Sequence, residues 1–144
     1  MMGQSPGTAP VALHEAIVAS LADALIFADA QGIIRVWNAA AQAVFGFSAD
    51  EALGRNLDLI IPERLRAAHW AGFDRALQSG TLRLAGRATL TRGLHKDGRR
   101  LYVDMSFAIV RAGAGEVLGA VAVARDVTER EEAKRAGAAI APRQ

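Results

Sequence analysis

Between residues 101 and 109 the odd positions are Leu101, Val103, Met105, Phe107 and Ile109, while the even positions carry Tyr102, Asp104, Ser106 and Ala108. Side chains on a strand alternate faces with a period of two, so this segment reads as a strand with one buried face. Turn sequences bracket it, His95-Lys96-Asp97-Gly98 on one side and Gly113-Ala114-Gly115 on the other. Further apolar runs lie beyond each turn, over residues 82–94 and 117–124. Three strands joined by tight turns pair antiparallel, and the apolar face they share must be covered by other parts of the chain.

Upstream the period changes. Leu13, Ile17, Val18 and Leu21 recur at helical spacing over residues 11–21. Two short apolar runs, residues 24–28 and 33–37, flank Asp29, Gln31 and Gly32 and read as a hairpin. Asn38 is placed to cap a helix over residues 39–45 that Gly46 ends. Ser48 and Glu51 form a capping-box pattern that opens a brief helix stopping at Gly54. Residues 56–61 are an apolar connector, and Pro62 suits the first turn of a longer helix running to about residue 77. Its apolar face carries Leu65, Ala68, His69, Gly72, Phe73 and Ala76, and Ser79-Gly80 closes it. Thr128 caps a last, charged helix over residues 129–136. The order is two strands, several short helices, three strands. That is an α+β chain with helices packed on one five-stranded antiparallel sheet.

A length of 144 residues suits one domain. Residues 1–10, rich in Gly, Ser, Pro and Thr, are expected to be disordered; residues 11–127 form the domain with its N-terminal helix, and residues 128–144 an exit helix and tail. The chain holds 17 basic and 15 acidic residues, a net charge of +2, with no basic run interleaved with aromatics, so a nucleic-acid partner is not expected. The absence of cysteine excludes disulfides, thiolate metal sites, iron–sulfur clusters and a flavin–cysteinyl photoadduct. No apolar run has the length of a membrane span, and residues 1–10 lack a secretory pattern, so the expected setting is the cytoplasm, without a membrane partner. There is no nucleophile elbow, phosphate-binding glycine loop or His-x-x-x-His pair, and no enzymatic activity is expected.

Several of these features occur together in one family. The stretch from Ala24 to Pro62, with Asp29, Gly32, Asn38, Phe45, Gly46, Phe47, Gly54 and Asn56, resembles the N-terminal half of PAS domains. The hairpin HKDGRRLYVDMSFAIV resembles that family's later hairpin, and Asp126 with Thr128 resembles its exit motif. The resemblance covers roughly residues 11–134. It implies a PAS fold with flanking N- and C-terminal helices, and a sensory or interaction module.

Within the family, the block IPERLRAAHWAGFDRAL resembles haem-binding oxygen sensors of the histidine-kinase and phosphodiesterase types. The resemblance implies haem b (iron protoporphyrin IX) with His69 as the axial iron ligand. Arg75 matches a propionate-binding arginine, and Arg83 is a second candidate for that role. Leu84, Met105 and Phe107 match apolar positions around the gas site. The kinase-type sensors carry an oxygen-binding arginine where this chain has Thr89. Arg87, two residues earlier, stands where the phosphodiesterase type has a distal methionine. Both fall in the strand read over residues 82–94 and so share a face, and either is a candidate contact for a diatomic gas (O2, CO or NO).

Two readings stand. In one, the domain binds haem and senses a gas or redox state. In the other it carries no haem: it dimerises or binds another small organic ligand, and His69 is a core residue satisfied by a hydrogen bond. Ala120, Ala122 and Ala124 leave room for either ligand. Flavin ranks last, because the late strands offer no Asn or Gln for its ring. The flanking helices imply a homodimer, with Leu13, Ile17, Val18 and Leu21 at its interface, and output through an effector domain or partner. His14 and His95 are expected at the surface.

Overall fold

The computed structural model describes residues 8–81 and 87–140. Five strands form one antiparallel sheet: β1 (Ala24–Asp29), β2 (Ile34–Trp37), β3 (Thr89–Leu94), β4 (Arg100–Arg111) and β5 (Val117–Asp126), in the order β2-β1-β5-β4-β3. Before the sheet comes α1 (Thr8–Ser20). Between β2 and β3 run α2 (Ala39–Phe45), α3 (Ala49–Ala52), 3-10 turns at Leu57–Ile60 and Glu63–Leu65, and α4 (Arg66–Ser79). After β5 comes α5 (Thr128–Ile140). The α+β architecture expected from the sequence is the one observed.

Register fixes which side chains face the helices. Ala24, Ile26 and Ala28 on β1 pair with Ala124, Ala122 and Ala120 on β5. Met105 and Phe107 on β4 pair with Ala124 and Ala122, and Thr89 and Thr91 on β3 pair with Met105 and Val103. Directly opposed residues share a face, so these side chains line one inner surface. At one end of that surface α2 and α3 build a packed core from Ile34, Trp37, Ala41, Phe45, Ala52, Ile60, Leu101 and Val103.

Local signals set the helix ends. Asn38 Oδ1 accepts from the Ala41 N–H at 2.9 Å and so caps α2. Ser48 and Glu51 exchange both bonds of the capping box. The expected helix from Pro62 divides: a 3-10 turn comes first, and the α-helical run starts at Arg66. Arg66 holds this junction by donating from Nε to the Ile61 carbonyl at 3.0 Å and from Nη2 to the Asp58 carbonyl at 3.2 Å.

Three expectations meet a different arrangement. The first helix begins at Thr8, before residue 11. Strand β3 begins only at Thr89; residues 82–86 lie outside the described part, and Arg87 and Ala88 are unpaired. Ala88, just before the first paired residue, is a weak strand former. His95 is not a surface residue: its side chain is 17% exposed and packs on Gly46, where a Cβ would lie 2.5 Å from the imidazole Cε1. The adjoining Lys96 N–H donates to the Phe45 carbonyl at 2.9 Å, so the β3–β4 turn is docked onto the end of α2.

Candidate cofactor site

Helix α4 does not pack tightly on the sheet. Ala76 is its one buried residue, although its inward face is apolar. The face lies over space instead of side chains. A cavity of about 360 Å³ lies between α4, the Leu57–Ile60 turn and the inner surface of β1, β3, β4 and β5. A more open cavity of about 890 Å³ continues it toward the C-terminal end of α4. Ala68, His69, Phe73, Phe107 and Ala120 border both, so the two form one slot with a deep and an outer part. Both volumes fall in the range of small-molecule and cofactor pockets.

The slot is apolar where it is deep. Ile26, Ile60, Val103, Met105 and Ala122 supply the wall, and among the described lining residues the polar side chains are His69, Thr91 and Arg92. The small side chains Ala120 and Ala122 leave the volume open, whereas Ala124 belongs to the packed core. The outer part adds Arg75, Gln78, Ser79, Thr81 and Thr89.

His69 stands where the two parts join. Its Nδ1 is buried and has no hydrogen-bond partner among the described residues. The hydrogen bond that would satisfy Nδ1 of a core histidine is thus not found there. Burial disfavours the imidazolium and holds the His69 pKa below its usual 6.5, against the opposing pull of the Asp58 and Asp74 carboxylates. The ring is thus neutral at neutral pH, with a lone pair on one nitrogen, which is the form that ligates metals. Phe73 lies against the ring at a centroid distance of 5.9 Å. The chemistry suits a largely apolar group that takes one neutral nitrogen donor. No group of three or more His, Cys, Asp or Glu side chains that would hold a bare metal ion occurs among the described residues. A haem iron needs only one such ligand from the protein.

The other residues singled out in the sequence distribute unevenly. Met105 borders the deep part, Phe107 both parts and Thr89 the outer part. Arg75 borders the outer part and is otherwise exposed, which places a cation at the mouth. Arg87 precedes β3, is exposed and borders neither part, so the shared-face argument reaches Thr89 but not Arg87. Arg83 and Leu84 lie outside the described residues. Sequence reasoning missed Thr91 and the Leu57–Ile61 wall. Thr91 was findable, because it shares the parity of Thr89 on β3. The wall residues were not, because a 3-10 turn has no strong sequence signature.

The exit of the sheet connects to this wall. Thr128 Oγ1 accepts from the Tyr102 N–H at 2.9 Å and donates to Asp126 Oδ1 at 2.6 Å. The Tyr102 ring lies between the guanidinium groups of Arg92, at 4.5 Å, and Arg135 of α5, at 5.0 Å. No helix among the described residues is long and apolar enough to cross a membrane.

Comparison with known proteins agrees with this architecture. The chain is 28% identical over 116 residues to the sensor protein FixL of Bradyrhizobium diazoefficiens, covering 81% of this chain and 23% of that protein. It is 27% identical over 95 residues to the oxygen sensor protein DosP of Escherichia coli, covering 66% of this chain and 12% of that protein. The chain thus spans less than a quarter of the length of these relatives. The crystal structure of a PAS domain from Colwellia psychrerythraea superposes with a TM-score of 0.72 at 21% identity, covering 84% of this chain and 99% of that one. The family profile described as PAS fold matches residues 12–127. By sequence profile and by fold, this chain belongs to the PAS family.

Proposed function

We propose that this domain binds haem b in the slot beneath α4, with His69 as the axial ligand, and senses a diatomic gas or a redox state. The observation that carries the reading is a neutral imidazole with a buried Nδ1 at the junction of a two-part apolar slot. Similarity to FixL and to the oxygen sensor DosP supports it. Haem supplies an iron centre that exchanges small ligands or electrons. The protein supplies the rest. His69 would present a nitrogen donor, Arg75 would neutralise a propionate, and Met105 and Phe107 would exclude water from the ligand side, with Arg83 and Leu84 as further candidates from the sequence alone. Thr89, which borders the outer part, would offer a hydroxyl to a bound gas. Strands β3, β4 and β5, which wall the slot, lead directly to Asp126, Thr128 and α5, the path by which a change in the slot reaches an effector or partner protein.

On α1, Leu13 is 58% and Ile17 50% exposed, which favours pairing of two copies through this helix whether or not haem is bound. A haem-free dimerisation module, or a binder of another small organic ligand, is the second reading, favoured by that exposed face.

Absorbance spectra of the purified protein before and after haemin addition test the proposal. An intense Soret band that His69→Ala loses or shifts is the expected result. No Soret band after reconstitution sinks the haem reading and leaves the second.

A further inference from the structure

A metal-ligating histidine usually donates its second ring N–H to a carboxylate or carbonyl, and that bond sets the ring orientation. His69 has no such partner on Nδ1 among the described residues. Rotation about the bond to an aromatic ring is broad and roughly two-fold, so an imidazole without a directional bond needs another restraint. The neighbouring residue supplies one. The indole of Trp70 meets the His69 ring edge-on, with centroids 4.7 Å apart and planes at 77°. Trp70 also meets Phe73 at 5.2 Å and 77°, so the three rings form one cluster.

Trp70 is fixed independently of His69. Its Nε1–H donates to Asp58 Oδ1 at 2.7 Å, reaching from α4 back to the Leu57–Ile60 turn. The far edge of the indole lies over Gly32 in the β1–β2 turn, where a Cβ would sit 2.3 Å from Trp70 Cη2. Any side chain at Gly32 therefore collides with the ring. Trp70 borders neither part of the slot.

We infer that Asp58 and Trp70 are positioning residues for His69: a strut from the β1–β2 turn and the Leu57–Ile60 turn that sets the plane of the imidazole in place of a hydrogen bond. The assignment rests on the reading of His69 as a ligand, but the strut itself is a property of the ligand-free protein, so the two are tested separately.

The experiment uses the full chain with 13C-labelled histidine, in the wild type and in Trp70→Leu, Trp70→Phe, Asp58→Leu and Asp58→Asn. The His69 Cε1–H signal, assigned by its loss in His69→Ala, is followed without haem. Haemin affinity is then measured from the Soret band. In the wild type, the expected signal is single and displaced by the ring current of Trp70. Trp70→Leu and Asp58→Leu move it toward the free-histidine position, while Asp58→Asn, whose amide oxygen still accepts from the indole, retains it. Haemin affinity falls about tenfold in the two leucine variants, the scale typical for loss of a ligand's support, and is kept in Asp58→Asn. If Trp70→Leu does not fold, Trp70→Phe decides, because it keeps an aromatic ring but loses the Asp58 anchor and moves the signal partway. An unmoved His69 signal in a folded Trp70 or Asp58→Leu variant overturns the strut. A wild type without a Soret band overturns the haem reading, and the His69 signal alone then decides the strut.

Discussion

Replacing Asn38 with alanine tests how the first half of the domain is joined. The Asn38 side chain is 6% exposed and makes four hydrogen bonds to three separate elements. Its Oδ1 accepts from the Leu25 N–H in β1 at 3.0 Å and from the Ala41 N–H in α2 at 2.9 Å. Its Nδ2 donates to the Val18 carbonyl at the end of α1 at 2.9 Å and to the Asp23 carbonyl at 3.2 Å. A helix cap alone is worth about 1 kcal/mol, and each further bond in a part-buried site about 1 kcal/mol net. The two carbonyls near the surface recover some of this from water. The expected loss is therefore about 3 kcal/mol, roughly 6–12 °C in Tm for a domain of this size. Urea unfolding followed by circular dichroism measures it. Asn38→Asp is the sharper comparison: it keeps the acceptor but turns a carboxylate toward two carbonyls, so it recovers little despite the preserved cap. A loss below about 1 kcal/mol for Asn38→Ala, or an Asn38→Asp variant as stable as the wild type, refutes the account of Asn38 as a joint.

Two further substitutions probe the slot and the first hairpin. Ala122→Leu fills the deep part of the slot from β5; the ligand-free protein is expected to gain about 1 kcal/mol in urea unfolding and to lose most of its haemin Soret band, whereas wild-type haemin affinity locates the group elsewhere. Asp29 accepts from the N–H groups of Gln31 and Ile33 and pairs with Arg35 at 2.8 Å. Desolvation by burial pushes its carboxyl up, but the bonds from Arg35, Ile33 and Gln31 outweigh this and hold it below the usual 3.8. A carboxyl depressed in the folded state stabilises above its unfolded value, and that stability is lost as pH falls through the folded value. The Tm difference between wild type and Asp29→Asn is therefore expected at pH 7 and to close progressively below 3.8, in thermal scans at stepped pH; a difference independent of pH contradicts the assignment.

Much of the fold was legible because its signals are local. The odd-position apolar residues of β4 state their own face, the Ser48–Glu51 box marks a helix start, and Asn38 caps α2 as its position before an Ala-rich helix suggests. His69 was legible as a candidate from its helical neighbours, but the apolar pattern of α4 did not say whether it faced packed side chains or open space. That depends on the volume left by Ala120 and Ala122 across the sheet, which no local pattern encodes. The Asp58–Trp70–Gly32 contacts were invisible for the same reason: they join three elements whose meeting is set by the tertiary fold. His95 misled because a turn usually faces solvent; its partial burial follows from the missing side chain at Gly46, forty-nine residues away in the chain. Arg87 and Ala88 read as strand by composition, yet pairing with β4 is what makes a strand, and among the described residues it begins at Thr89.

The pairing of β1 with β5 has a consequence for how the chain is made. Ala24 lies opposite Ala124, so the centre of the sheet is closed by partners a hundred residues apart. At typical rates of synthesis, β1 waits about 5–20 s for its neighbour to be made. During that interval it has β2 on one side and an open hydrogen-bonding edge on the other, carrying Leu25, Ile26 and Phe27. Long-range closure of this kind is entropically slow. The sheet thus completes late and as a unit, and the nascent domain is most vulnerable to mispairing just before its last strand emerges.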